Sequence, residues 1–234
     1  MPSKERVLIT GSAAGIGRAT AERCRAEGYE VIGIDRDGDG MRADLADPEA
    51  TATALSEALR GGPITRLVNN VGMIRPGSVE EQSFADLDLA VSLNLRCSLQ
   101  CLQALLPGMK QAGFGRVVNI ASRAALGKER RSVYAATKAG MIGMAKVWAL
   151  ELGRHGITAN SIGPGPIRTE LFERANPPGS PATQAILDAV PVGRMGEPED
   201  IANAVAFLLD ARSGFVTGQT LYVCGGMTVG AAGT

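Results

Sequence analysis

Tyr134 and Lys138 stand four apart in the run Ser132-Val133-Tyr134-Ala135-Ala136-Thr137-Lys138-Ala139-Gly140. On a helix that spacing puts the phenol and the ammonium on one face, a turn apart. A phenol with a reference pKa of about 10 keeps its proton at neutral pH, and a fixed cation beside it favours the phenolate. A tyrosine so placed can take a proton from an alcohol or give one to a ketone. Moving its pKa to about 7 takes about three units, roughly 4 kcal/mol of differential stabilisation. That asks for Lys138 in a partly water-excluded site, helped by a second positive charge. The same pattern also fits a helix-face tyrosine beside a solvated lysine, so the rest of the chain has to decide.

A second chemical signal lies near the start. Thr10-Gly11-Ser12-Ala13-Ala14-Gly15-Ile16-Gly17 separates an apolar run from a helical pattern. Glycines at such a junction let the backbone turn sharply and approach a pyrophosphate, while the helix N-terminus offers N–H donors. Asp35 follows Gly17 by eighteen residues and closes the second apolar run, where a carboxylate accepts hydrogen bonds from an adenosine ribose diol. It would repel a 2′-phosphate, and Ala14 leaves the loop without a basic residue, so NAD is expected over NADP. Arg36, beside Asp35, is the residue that could bind that phosphate and keeps NADP as the alternative.

The elements that must position these groups read as alternating strands and helices. Apolar runs at Arg6–Ile9, Glu30–Ile34, Leu67–Asn69, Arg116–Ile120, Thr158–Ile162 and Thr220–Val223 predict strands, with a brief one ending at Asp44. Apolar residues at consecutive positions mark strands covered by helices on both faces. Helical patterns span about 16–27, 48–60, 84–111, 132–153 and 198–210, with Pro48 and Pro198 at first-turn positions and Gly28 and Gly156 at ends. The alternation predicts an α/β protein with a doubly wound parallel sheet. Only a tight connection fits between Asp35 and Asp44. Residues 169–192 form a long insertion, containing Asn176-Pro177-Pro178-Gly179-Ser180-Pro181, expected to be functional or mobile.

At 234 residues the chain suits one domain over 1–234. Its 24 basic and 24 acidic residues cancel, which gives no charge excess for nucleic acid or an anionic membrane. No apolar segment reads as long enough for a signal peptide or a membrane span. Cys24, Cys97, Cys101 and Cys224 form no C-x-x-C pair, and Cys97 and Cys101 read as small apolar residues of a packed helix, not metal ligands. No metal site is expected, and a reduced, cytoplasmic setting is the default reading.

Together these residues resemble the short-chain dehydrogenase/reductase family over nearly the whole chain. The family's T-G-x-x-x-G-x-G loop is matched at Thr10 to Gly17, its N-N-A-G element by Asn69-Asn70-Val71-Gly72, and its mid-helix Asn by Asn94. Its catalytic Ser is matched by Ser122, its Y-x-x-x-K pair by Tyr134 and Lys138, and its P-G element by Pro164-Gly165-Pro166-Ile167-Arg168-Thr169. Pro191-Val192-Gly193-Arg194-Met195-Gly196-Glu197-Pro198-Glu199-Asp200 is also typical.

The resemblance implies a Rossmann-type sheet of about seven strands in the order 3-2-1-4-5-6-7. It implies Tyr134 as general acid/base, with Lys138 depressing its pKa and binding the nicotinamide ribose. Ser122 would hold the substrate oxygen, and Asn94 would anchor a proton-relaying water. Cofactor contacts are implied at Gly11, Ser12, Ala14, Gly15, Ile16, Gly17, Asp35, Arg36, Asp44, Leu45, Asn70, Val71, Gly72, Tyr134, Lys138, Pro164, Gly165, Ile167 and Thr169. The two helices at 84–111 and 132–153 are usually buried between subunits, implying a homodimer or homotetramer. Three departures stand out: Val71 replaces the usual Ala, the Ser122–Tyr134 spacing is one residue short, and Val223-Cys224-Gly225-Gly226 lacks the usual Asp.

The function expected is an NAD(H)-dependent oxidoreductase acting on a secondary alcohol or ketone of medium size. An NADPH-dependent 3-oxoacyl-thioester reductase acting on an acyl carrier protein is the alternative, and a non-catalytic dinucleotide-binding regulator is the alternative of another class. Leu171, Phe172, Ala175, Ile186 and Leu187 are expected to wall the substrate pocket, with Arg75 and Arg168 as candidates for polar contacts. Lys128, Arg130 and Arg131, interrupted by Glu129, form a basic run before Tyr134 that fits either a solvated loop or an acidic substrate.

Overall fold

The structure is a computed structural model that describes residues 4–177 and 179–229; Pro178 and the side chains of Leu171 and Ala175, all in the expected substrate insertion, lie outside the described residues. Seven strands form one parallel sheet: β1 (Arg6–Thr10), β2 (Glu30–Asp35), β3 (Met41–Arg42), β4 (Arg66–Asn69), β5 (Gly115–Ile120), β6 (Ile157–Pro164) and β7 (Thr220–Val223). Their order is β3-β2-β1-β4-β5-β6-β7, as the family resemblance implies. β1, β4, β5 and β6 are buried along their whole length, their apolar residues on both faces covered by helices and their polar ones, among them Asn119 and Asn160, buried with them. The chain leaves β1 towards one edge and returns at β4 on the other side. That reversal opens a crevice at the C-terminal ends of β1 and β4, the place where sheets of this kind bind ligands.

Among the described residues eight helices pack around the sheet: α1 (Gly15–Ala26), α2 (Pro48–Leu59), α3 (Phe84–Ala90), α4 (Cys97–Ala112), α5 (Ser132–Leu152), α6 (Glu170–Ala175), α7 (Pro181–Asp188) and α8 (Pro198–Leu209). One core places Leu55 of α2, Leu102 and Leu105 of α4 and Trp148 of α5 on one face of the sheet. The other places Ala21 and Cys24 of α1 against Ile201, Val205 and Leu209 of α8 on the opposite face. Local signals fix the ends. The Asp47 carboxylate accepts the Glu49 N–H at 2.8 Å ahead of Pro48, and Gly113 stops α4 at φ 61, in the left-handed region.

The helix expected over 84–111 is interrupted. Between α3 and α4, Val91–Arg96 form a π-helical turn, wider by one residue than an α-helical turn. Asn94 lies in it, fully buried, because its side chain is drawn inward by hydrogen bonds to two other segments. The continuous run Phe84–Ala112 is also long and apolar enough to cross a membrane by length and composition, with a mean hydropathy of 1.3, contrary to the sequence expectation. Its apolar character has another use here: Cys97, Cys101, Leu102, Leu105 and Met109 are all buried in the core. The 169–192 insertion supplies α6 and α7, capped by the hydroxyls of Thr169 and Ser180.

At the end of the sheet away from the crevice, Arg6, Arg66 and Arg116 are buried where β1, β4 and β5 begin. Arg66 lies between the Tyr29 and Phe114 rings, 4.7 and 4.8 Å from their centroids, and its Nε donates to the Leu209 carbonyl at 3.0 Å. The three cations brace the turns there and have no part in the site.

Candidate active site and cofactor cleft

The glycine-rich loop is held open by backbone geometry. Gly11 adopts φ +68, which an L side chain rarely tolerates, and its N–H donates to the Ile34 carbonyl at 2.8 Å. Thr10 and Asn70 stitch the ends of β1 and β4 together. The Thr10 hydroxyl accepts the Asn70 and Val71 N–H groups at 3.0 and 3.1 Å, and Asn70 Nδ2 donates to the Thr10 and Gly11 carbonyls. The N-cap of α1 is Ala14, which has no capping side chain, and no acidic residue follows in the first turn. Its first N–H groups are therefore left for an anion, as a pyrophosphate requires.

A cleft of about 460 Å³ opens above this loop. Of the expected cofactor residues, Gly11, Ala14, Gly15, Ile16, Gly17, Asp35, Arg36, Asp44, Leu45, Asn70, Val71, Gly72 and Thr169 line it. Ala43, Met73, Leu93 and Glu170 line it too and were not anticipated. The Asp35 carboxylate reaches back to the loop, accepting the Ala13 N–H at 2.9 Å, while the exposed Arg36 lies 3.7 Å from Asp37.

Six expected contacts lie off the cleft lining: Tyr134 and Lys138, which stand beside it, and Ser12, Pro164, Gly165 and Ile167. Ser12 packs its hydroxyl onto Gly33 of β2, where a Cβ would lie 2.3 Å from it. Pro164 ends β6, and Gly165 lies so close to Cys224 that a Cβ would stand 2.6 Å from the Cys224 Cα. Ile167 bridges to Gly196 and faces a second cavity of about 330 Å³ with Val190, Val192 and Cys224. Arg168 and Arg75, candidates for polar contacts, are engaged by Glu197 at 3.5 Å and Asp86 at 3.6 Å.

Asn94, Ser122, Tyr134 and Lys138 converge beside the cleft. Lys138 is buried, and its Nζ donates to the Ile120 carbonyl at 2.7 Å. A Cβ on Gly72 would lie 3.1 Å from that Nζ and 3.2 Å from Asn94 Oδ1, so the three residues meet at one point. Asn94 Oδ1 accepts the Met73 N–H at 3.0 Å, and its Nδ2 donates to the Thr137 hydroxyl at 2.9 Å. Thr137 donates in turn to the Tyr134 carbonyl at 3.0 Å. Ser122 accepts the Ala124 N–H at 3.1 Å at the start of a 3₁₀ turn, Arg123–Leu126. Asn69 bonds Asn119 at 2.8 Å, and Asn119 donates to the Met141 carbonyl at 3.1 Å, tying β4, β5 and α5 together.

The chain's own residues leave the Tyr134–Lys138 pair in a different balance from the one the spacing suggests. Burial pushes the Tyr134 phenol above its ordinary value, more than the nearby Ser122 hydroxyl and Arg131 charge pull it down. The Lys138 ammonium stands 5.8 Å from the centre of the Tyr134 ring and bonds a carbonyl instead of the phenol. Burial also pushes Lys138 down to about 8, so it is itself close to releasing its proton.

The family described as enoyl-(acyl carrier protein) reductase matches residues 11–228, from the glycine-rich loop past β7. The chain belongs to the short-chain dehydrogenase/reductase family. This dehydrogenase/reductase is 40% identical over 240 residues to the (2S)-[(R)-hydroxy(phenyl)methyl]succinyl-CoA dehydrogenase subunit BbsD of Thauera aromatica, covering 95% of this chain and 96% of that one. It is 34% identical over 239 residues to the 3-oxoacyl-[acyl-carrier-protein] reductase FabG of Vibrio cholerae, covering 94% of this chain and 96% of that one. A blue fluorescent protein from a metagenomic library, solved in complex with NADPH, matches at 30% identity with a TM-score of 0.87, covering 96% of this chain and 98% of that one. The chain is thus an oxidoreductase built on a dinucleotide-binding sheet.

In this dehydrogenase/reductase the close approach at Gly17 gives a sharp test. A Cβ there would lie 1.9 Å from the Gly11 carbonyl oxygen and 2.5 Å from Asn70 Nδ2, and neither can move without unpicking the loop. Gly17→Ala is expected to destabilise the fold by about 3 kcal/mol and to remove dinucleotide binding. Thermal melting with and without dinucleotide checks this, and a variant that melts and binds like the parent would refute it.

Proposed function

We propose that the chain moves hydride between NAD(H) and the secondary alcohol or ketone of an acyl thioester, with Tyr134 as the general acid/base. The observation carrying this is the convergence of Tyr134, Lys138, Ser122 and Asn94 beside the dinucleotide cleft. The cleft fits a dinucleotide through the uncapped N-terminus of α1 and the close glycine approach at Gly11 and Gly17. Once bound, the nicotinamide supplies the hydride chemistry and a positive charge when oxidised. Tyr134 then holds or takes the proton of the reacting oxygen, and Ser122 orients that oxygen. Lys138 supplies positive charge behind the phenol and exchanges its proton readily, being poised at about 8. Asn94 holds the Met73 segment against α5 and thereby fixes the wall that carries Gly72 and Lys138.

The thioester is favoured by two relatives whose names carry acyl thioesters of coenzyme A or acyl carrier protein. The test is the reduction of 3-oxoacyl thioesters beside a panel of simple ketones, followed by loss of NADH or NADPH absorbance. Reduction of the simple ketones alone would remove the thioester from this reading, and no turnover of any kind would return the chain to the class of dinucleotide-binding regulators.

NAD is the expected cofactor because Asp35 lines the adenosine end of the cleft. NADP is the second reading, favoured by the NADPH-bound neighbour and by Arg36 on the same lining. Asp35→Ala is expected to raise KM for NAD by about tenfold or more and to narrow the gap to NADP. A parent that already prefers NADPH would overturn the assignment. A homo-oligomer belongs to the same proposal, supported by exposed apolar side chains on the helices involved, among them Phe84, Leu99, Val147 and Leu150.

A further inference from the structure

We infer that Arg123, Lys128 and Arg131 form an anion-binding wall of the active site, and that the acyl substrate carries a carboxylate besides its reacting oxygen. This rests on the thioester reading and specifies the substrate within it.

The three cations come from the segment joining Ser122 to Tyr134. Arg123 opens the 3₁₀ turn directly after Ser122, Lys128 lies in the loop beyond it, and Arg131 stands at the N-cap of α5, three residues before Tyr134. Among the described residues none of the three takes part in an ion pair, whereas Arg130 in the same run is held by Glu81 at 2.8 Å. Arg130 is the sole described non-glycine residue at positive φ, 58°, and its guanidinium pairs with Glu81. The Gly77 N–H donates to the Arg130 carbonyl at 3.0 Å and Gly77 bridges to Arg131, so the loop is anchored to the segment that follows β4.

Two features set this cluster apart from a solvated basic loop. Arg131 Nε is buried with no hydrogen-bond partner, although its Nη1 donates to the Arg130 carbonyl at 2.8 Å. A buried guanidinium N–H without an acceptor costs free energy until an acceptor arrives. The cations are also close enough to act on one another and on the reacting group. Lys128 is an exposed residue, yet desolvation of its ammonium and then Arg123 and Arg131 hold it below its ordinary range, while Arg131 pulls on the Tyr134 phenol. They gather at the positive end of the 21-residue helix α5, whose first turn holds no acidic residue. That is the reverse of the charge a helix N-terminus favours, and an anion there answers the dipole and the cations together.

A planar carboxylate suits the guanidinium fork. A phosphate of the thioester carrier has the same charge, but a pantetheine arm places it many bonds from the reacting carbon. Arg123 and Arg131 immediately flank Ser122 and the turn that leads into Tyr134, which favours a carboxylate on the acyl chain.

The test uses the full-length protein and four probes: the N-acetylcysteamine and coenzyme A thioesters of 3-oxohexanoate and of 3-oxoadipate. The N-acetylcysteamine pair contains no phosphate. Because Arg131 also occupies the N-cap of α5 and bridges to Gly77, the Arg123→Gln/Lys128→Gln double variant carries the test, with its melting temperature matched to the parent. The parent is expected to prefer the 3-oxoadipoyl over the 3-oxohexanoyl thioester by about tenfold in kcat/KM, and the double variant to lose that preference through KM with kcat kept. An equal loss on both acyl chains, a parent indifferent to the carboxylate, or a loss seen with the coenzyme A thioesters alone overturns the inference. If the parent reduces ketones but no thioester, the thioester reading fails by itself. The monoethyl and diethyl esters of 3-oxoadipate then decide the carboxylate preference in the same way.

Discussion

Replacing Tyr134 by Phe is expected to lower kcat by about a thousandfold while dinucleotide binding stays within about twofold of the parent. The substitution removes one hydroxyl and keeps the ring, so the packing of α5 against β5 and β6 is preserved. What disappears is the group that holds the proton of the reacting oxygen. Burial holds that phenol above its ordinary value, so alcohol oxidation, which needs the phenolate, should accelerate as pH rises into the alkaline range. Ketone reduction needs the protonated phenol and should slow there. Steady-state rates in both directions, with a fluorescence titration of the dinucleotide, measure this. A Phe variant retaining more than about a tenth of the parent's kcat would remove Tyr134 from the chemistry.

Lys138→Met is expected to reduce kcat by about a hundredfold or more and to change how stability depends on pH. In the folded chain burial lowers the Lys138 pKa from 10.5 to about 8. Below about pH 8 both the folded and the unfolded chain carry the proton, and the cost of the buried charge, about 3 kcal/mol, is present in full. Between the two pKa values the unfolded chain binds the proton more tightly, so the parent gains stability as pH rises. Met carries no charge and lacks this gain. The parent should therefore gain about 2 kcal/mol on the variant between about pH 7 and about pH 9.5. Loss of the hydrogen bond to the Ile120 carbonyl shifts the variant by a constant amount and leaves that slope intact. Denaturant unfolding across this range measures it; parallel profiles would mean that Lys138 is not held at a lowered pKa.

The elements with regular periodicity were legible before any coordinates. β1, β4, β5 and β6 appear as runs with apolar residues at consecutive positions because both faces of each are covered, and Pro48 marks the first turn of α2. The glycine loop and Asp35 were legible because backbone approach and charge leave direct marks on residue type. Other features depend on where a side chain ends up. Nothing in Val91–Arg96 distinguishes a π turn from an α turn, since the cause is the pull of Met73 and Thr137 on Asn94. Thr10 passed as part of a motif, yet its hydroxyl joins β1 to β4. The spacing of Tyr134 and Lys138 gave their neighbourhood but not the balance of their protonation, which desolvation dominates. Ser12, Pro164, Gly165 and Ile167 depend on packing in another way. They belong to loops near the cleft, yet the residues they pack against take them off its lining.

The wide turn at Val91–Arg96 makes the number of residues there as informative as their identity. Each residue in an α-helix advances the face by about 100°, so one residue more or fewer in this turn would rotate α3 against α4 by about that angle. Asn94 would then leave Met73 and Thr137 even with every side chain conserved in type. Two chains that agree at all the reacting positions can therefore differ in whether those positions meet, and a gap of one residue in this turn counts as a change to the site itself.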